Sequence, residues 1–64
     1  MNEILKEVLK HVPENADISE SGFEGANIIL YTKNKEFFLN NSEVIKNIVD
    51  AVKKRVELRP DESL

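Results

Sequence analysis

Apolar residues recur along this chain with two periods. Ile4, Leu5, Val8, Leu9 and Val12 fall on one stripe at helical spacing, with Glu3, Lys6, Glu7 and Lys10 on the other face. The spacing predicts a helix over residues 3–12, started by Asn2 as N-cap and stopped by Pro13, because proline disfavours helical geometry at the residue before it. On its surface Glu3 and Lys6 form a favourable pair and Glu3 and Glu7 a like-charge one. A turn at Glu14-Asn15 follows. The second stripe, Val44, Ile45, Ile48, Val49 and Val52, predicts a helix over residues 42–55. Ser42 is the expected cap, Glu43 suits its positive end, and Lys53, Lys54 and Arg55 suit its last turn.

Between the helices the pattern shortens to that of strands. Residues 16–24 predict a strand whose large apolar residues, Ile18 and Phe23, have opposite parity. A bulge near Ser21-Gly22 would turn both toward the core. Residues 27–32, Asn-Ile-Ile-Leu-Tyr-Thr, are rich in β-branched and aromatic types, and the turn at Gly25-Ala26 makes the two strands an antiparallel hairpin. Asn34 caps a short turn carrying Phe37, Phe38 and Leu39, and Asn40-Asn41 suit a sharp corner, since asparagine tolerates left-handed backbone. Val56-Glu57-Leu58-Arg59 alternates and reads as a third strand ended by Pro60; residues 60–64 read as a tail or linker. The result is an α+β domain with helices over one face of a three-stranded sheet and the other face wet or paired. Its expected core is Ile4, Leu5, Val8, Leu9, Val44, Ile45, Ile48 and Val49 with Ile28 or Ile29, Leu30, Phe37 and Leu58.

Length and charge narrow this further. With 64 residues the chain makes a single domain, and it has no cysteine for a disulfide or a thiolate metal site. The net charge of -3 argues against strong nonspecific nucleic-acid binding, but the charge is uneven. Residues 33–55 hold six basic side chains against three acidic ones, whereas residues 1–32 hold two lysines against six carboxylates. The longest apolar run, Ile28-Ile29-Leu30-Tyr31, is far short of the roughly 20 residues that span a bilayer. The N-terminus lacks the basic start and apolar block of a signal peptide, so the expected setting is the cytoplasm, away from membranes.

No catalytic constellation is visible. The single histidine, His11, reads as a helix-terminal residue favoured by the dipole, and it has no companions for the three or four ligands of a zinc site. The carboxylates are spaced as on solvated faces. No metal, cofactor or catalytic residue is expected in this segment.

The element order helix, strand, strand, helix, corner, helix, strand matches a type II KH domain. The literal G-x-x-G at Gly22-Phe23-Glu24-Gly25 reads as a hairpin bulge and turn, because the KH motif lies between two helices. The residues go further. That run, with Ile28-Ile29-Leu30-Tyr31-Thr32-Lys33-Asn34, Phe37-Phe38-Leu39 and Arg59-Pro60-Asp61, resembles the first KH-like domain of archaeal cleavage-and-polyadenylation-specificity-factor ribonucleases. The resemblance covers essentially the whole chain. It implies an N-terminal fragment of a longer protein in which two KH domains precede a metallo-β-lactamase core with a β-CASP insert, where zinc sits and mRNA 3′-end processing takes place. On that alignment the G-x-x-G position falls at residues 39–42, Leu-Asn-Asn-Ser, which lack glycine.

Two functions follow as expectations. One is an accessory module that binds single-stranded RNA weakly through Lys33, Lys35, Asn40, Asn41, Ser42 and Lys46. The other is a structural module packing on a neighbouring KH domain, on the nuclease core or on a second subunit as a homodimer.

Overall fold

The computed structural model describes residues 2–64, and both periods fold as their spacing predicts, with shifted ends. Helix α1 spans Glu3–Lys10, and the Asn2 side-chain oxygen accepts from the N–H groups of Ile4 at 2.7 Å and Leu5 at 3.4 Å. The helix stops short of Val12. His11 is its C-cap, and Val12 leaves the helix yet still packs against the core. Along the exposed face Lys6 lies 3.6 Å from Glu3 and Lys10 lies 3.5 Å from Glu7. His11 Nε2 is 3.1 Å from a Glu7 oxygen, so a hydrogen bond to the preceding turn also holds this histidine. His11 and then Lys10 draw the Glu7 carboxyl below its ordinary range.

Strand β1 spans Ile18–Glu24, two residues later than residue 16, because Glu14–Ala16 form a 3-10 turn and Asp17 adopts left-handed backbone at φ 50°. Ala16, expected in the strand, is instead fully buried under the sheet end. The register shift lies between Ile18 and Glu20, so the bulge is at Ser19 and not at Ser21-Gly22. The Ser19 hydroxyl explains the position: it donates to Asp61 at 2.6 Å, a partner 42 residues away in the chain. The shift at Ser19 sets Ile18 opposite Thr32 and Phe23 opposite Ile28, both on the helix side of the sheet, yet Phe23, near the hairpin end, stays 40% exposed.

Gly25 closes the hairpin at φ 61°, a conformation most side chains resist. Strand β2, Asn27–Thr32, is central and pairs antiparallel with β1 and parallel with β3, Val56–Pro60. A parallel pair needs a crossover, supplied by helices α2, Lys35–Leu39, and α3, Ser42–Val52. Pro60, opposite Thr32, is the last residue of β3, where the strand ends as expected. The ladder tolerates it because the inward bonds at either end belong to Arg55 and Asp61: Ile28 N–H donates to Arg55 O, and Asp61 N–H to Thr32 O. By that alternation the nitrogen of residue 60 points away from the sheet.

Leu5 and Val8 from α1, Ile28 and Leu30 from β2, Ile48 from α3 and Val56 from β3 form the core. Val8 and Ile48 are both fully buried, as the two stripes require. Ile4, Val44, Ile45, Val49 and Leu58 pack around this centre half-buried, Phe37 is buried too, and Ile29 is buried on the other face of the sheet. Among the described residues no helix is long and apolar enough to cross a membrane.

Two ties cross the sheet surface. Arg59 on β3 grips Glu24 on β1 with two bonds, at 2.6 and 2.9 Å, and its Nε reaches Glu57. The Arg59 guanidinium holds the Glu24 carboxyl below its ordinary value. The Ser19 hydroxyl, with help from Ser63, pulls Asp61 down to about 2. Both carboxyls titrate lower folded than unfolded. They therefore favour the fold fully above the unfolded values, 4.5 for glutamate and 3.8 for aspartate, and lose that contribution as the pH falls toward 2. Urea midpoints are expected to decline through that window, modestly because both groups meet water. Glu24→Gln with Asp61→Asn should flatten the decline; an equally steep decline in that variant would show that other carboxylates cause it.

Candidate nucleic-acid interface

The corner between α2 and α3 is built from asparagines with different tasks. The Asn34 side chain caps α2 by accepting from Phe37 N–H at 3.0 Å, and its amide donates to Asn15 O at 2.6 Å. Asn40 is the C-cap of α2, its N–H donating to the carbonyls of Glu36 and Phe37, while its exposed side chain makes no hydrogen bond among the described residues. Asn41, and not Ser42, is the N-cap of α3. Its side chain does not serve α3 at all. It turns back and donates to Phe37 O at 3.0 Å and Phe38 O at 2.8 Å, finishing the carbonyls of the preceding helix. The first-turn N–H groups of α3 are therefore left without a side-chain cap, at a corner where Asn40, Ser42 and Glu43 are exposed.

The lysines flank this point on separate elements. Lys33 is exposed at the end of β2, where its backbone N–H is anchored on Asp17 O at 3.0 Å. Lys35 opens α2, one turn before Leu39. Lys46 is exposed and one turn beyond Ser42 on the same face of α3. The structure thus gathers Asn40, Asn41 and Ser42 at the corner, with Lys35 and Lys46 one helical turn to either side and Lys33 farther back. Lys53, Lys54 and Arg55 do not sit in the last turn of α3. Lys53 adopts left-handed backbone at φ 56° and ends the helix, because the chain must reverse there to lay Val56 beside Ile28.

Two features escaped sequence reasoning. Leu39 is 68% exposed at the corner, an apolar side chain held in water. The second is a hollow of about 160 Å³ lined by Asn15, Asn34, Glu36, Phe37 and Asn40. Asn15 read only as a turn residue, and nothing local tied it to Asn34, 19 positions on. Groups of three or more histidine, cysteine, aspartate or glutamate side chains able to hold a metal ion are absent among the described residues.

What this corner can do chemically is meet an anion with free helix N–H groups and nearby ammonium charge, and meet a planar apolar surface with Leu39. It lacks the glycines that would let a phosphate backbone come closest.

Comparison with known proteins agrees with the architecture. The family described as "Transcription termination factor FttA, KH domain" matches residues 1–64. The chain is 41% identical over 64 residues to the transcription termination factor FttA of Methanococcus maripaludis, covering 100% of this chain and 10% of that one. It is 39% identical over 64 residues to that of Methanocaldococcus jannaschii, again covering 100% and 10%. With that of Thermococcus kodakarensis it shares 38% over 65 residues, 95% of this chain and 10% of the relative. The chain thus spans about a tenth of the length of these relatives.

Proposed function

The chain belongs to the family of KH domains of transcription termination factor FttA, and from that premise we propose that it is an accessory module for single-stranded RNA, contacted where α2 turns into α3. The observation that carries this reading is the uncapped start of α3 at an exposed corner between Lys35 and Lys46. Phosphate suits the N–H groups, the lysines add charge, and the exposed Leu39 offers an apolar surface for a base. Glu43 in the first turn and the missing glycines keep the contact weak.

We further infer that residues 1–64 form one domain at the N-terminal end of a longer cytoplasmic protein, with residues 60–64 leading onward. The support is the sequence resemblance and the relatives' length. The same resemblance supports a parent that is a zinc-dependent ribonuclease of metallo-β-lactamase and β-CASP type acting in RNA 3′-end processing. The zinc would be held elsewhere in that parent, since the described residues offer no ligand set for it, and no chemical step runs through this domain. A second reading, a structural module on a neighbouring KH domain, the nuclease core or a second subunit, is favoured by the absence of glycine at residues 39–42.

The test is a titration with a single-stranded RNA oligonucleotide, followed by amide chemical shifts. Shifts should gather at residues 39–46 and fade with salt. Lys35→Ala with Lys46→Ala should weaken binding and reduce the slope of log affinity against log salt by about 1.4, the share of two phosphate contacts on a single strand. Lys6→Ala with Lys10→Ala should change nothing, because those lysines face Glu3 and Glu7 on α1. Asn40→Gly should tighten binding; Asn41 must stay, because its amide holds α2. No shifts at millimolar RNA and low salt, or shifts on α1, would sink the reading.

A further inference from the structure

The sheet face turned away from the helices has the opposite character to the corner. By the strand register it presents Glu20, Gly22 and Glu24 from β1, Ile29 and Tyr31 from β2, and Glu57 and Arg59 from β3. Its one cation is already engaged, since Arg59 bonds Glu24 and Glu57 and lies 3.4 Å from the Tyr31 hydroxyl. Glu20 has no ion-pair partner among the described residues. Beside it opens a hollow of about 160 Å³ lined by Glu20, Gly22, Phe23, Glu24, Ile29 and Tyr31.

Gly22 has no internal reason to be glycine. Its backbone is not in the left-handed region, where Gly25 sits at φ 61°. A Cβ placed on it would meet nothing within 4 Å, so neither the sheet nor the Arg59–Glu24 tie needs the space. Glycine weakens a strand and marks a place where another group approaches closely. Here that group comes from outside. The hollow has a carboxylate at its edge, and the Tyr31 ring and the Ile29 side chain in its lining. These are the surroundings a long cationic side chain prefers, with its stem on apolar surface and its head against a carboxylate.

We propose that this open sheet face docks a basic polypeptide segment, with an arginine or lysine side chain entering the hollow over Gly22 between Tyr31 and Glu20. Charge complementarity selects this occupant. RNA is repelled by Glu20, Glu24 and Glu57, and a second copy docked face to face would set those carboxylates against their own counterparts. The site is separate from the corner, so it stands or falls independently of RNA binding there.

The probe is the acetylated, amidated peptide Gly-Arg-Gly-Arg-Gly, titrated into the labelled chain at low salt, with the citrulline analogue as neutral control. Amide shifts are expected at Gly22, Ile29 and Tyr31, and only with the arginine peptide. Gly22→Val fills the hollow with a residue suited to a strand, and Glu20→Lys reverses the charge at its edge. Each should weaken the peptide by about tenfold while leaving the RNA response of residues 39–46 unchanged. If the valine variant fails to fold, the lysine variant decides. Shifts spread equally over Glu3, Glu14 and Glu36, shifts undiminished in the variants, or none at millimolar peptide overturn the proposal.

Discussion

Ile48→Ala is expected to leave the domain close to its unfolding limit at physiological temperature. Ile48 is the one fully buried residue of α3, and it belongs to the same buried cluster as Leu5 and Val8 from α1, Ile28 and Leu30 from β2 and Val56 from β3. The substitution removes three carbons from the place where both long helices and two strands converge. Large-to-small changes at such sites cost about 2–5 kcal/mol, because the lost transfer energy is joined by the cavity left behind. Proteins hold roughly 0.05–0.15 kcal/mol per residue, which for this length is about 3–10 kcal/mol. A small domain loses about 4–8 °C of melting temperature per kcal/mol, so a drop of at least about 8 °C is expected in a circular-dichroism melt. Ile45→Ala, half-buried on the same helix, should cost clearly less. Equal losses for the two variants would show that α3 is not anchored through a single central side chain.

Thr32→Val should also destabilise the domain, by about 1–3 kcal/mol, through hydrogen bonds instead of volume. Thr32 is the one fully buried polar residue among those described. Its hydroxyl donates to the carbonyl of the buried Ala16 and accepts from Asn34 N–H at 3.0 Å. One side chain therefore holds the 3-10 turn, the end of β2 and the cap of α2 together. Valine keeps the shape and removes the hydroxyl, leaving a buried carbonyl and an amide without partners. Thr32→Ser keeps both bonds and should cost less than the valine change. The lesion should also be felt at the corner, because Asn34 positions α2 and is tied to Asn15. Amide exchange at Phe37 and Phe38 should quicken in the valine variant more than exchange at Ile28. A valine variant as stable as the parent would mean that water replaces both bonds and that the joint is not closed.

The parts of this fold legible from the chain are those set by neighbours in sequence. The stripes Ile4 to Leu9 and Val44 to Val52 made two helices because side chains three and four apart share a face. The strand pattern at residues 27–32 and the turn at Gly25 made the hairpin for the same local reason. Asn2 and Asn34 capped their helices because the cap bond spans only two or three residues.

The misreadings all concern groups whose partner is far along the chain or whose local options are equal. The bulge went to Ser19 because Asp61 was waiting for its hydroxyl across 42 positions. Lys53 to Arg55 left the helix because Val56 had to meet Ile28 in parallel register, a demand no helical propensity reveals. At the corner, sequence located the turn and its lysines, but both Asn40 and Asn41 were equally able to cap, bend or reach solvent. Packing gave Asn41 to the carbonyls of α2 and left the start of α3 uncapped. Periodicity is a property of the backbone's own repeat, so sequence alone determined which segments are helix and strand and which faces are apolar. Pairing order, strand register and the choice of hydrogen-bond partner depend on distances between segments, and only the folded arrangement decided them.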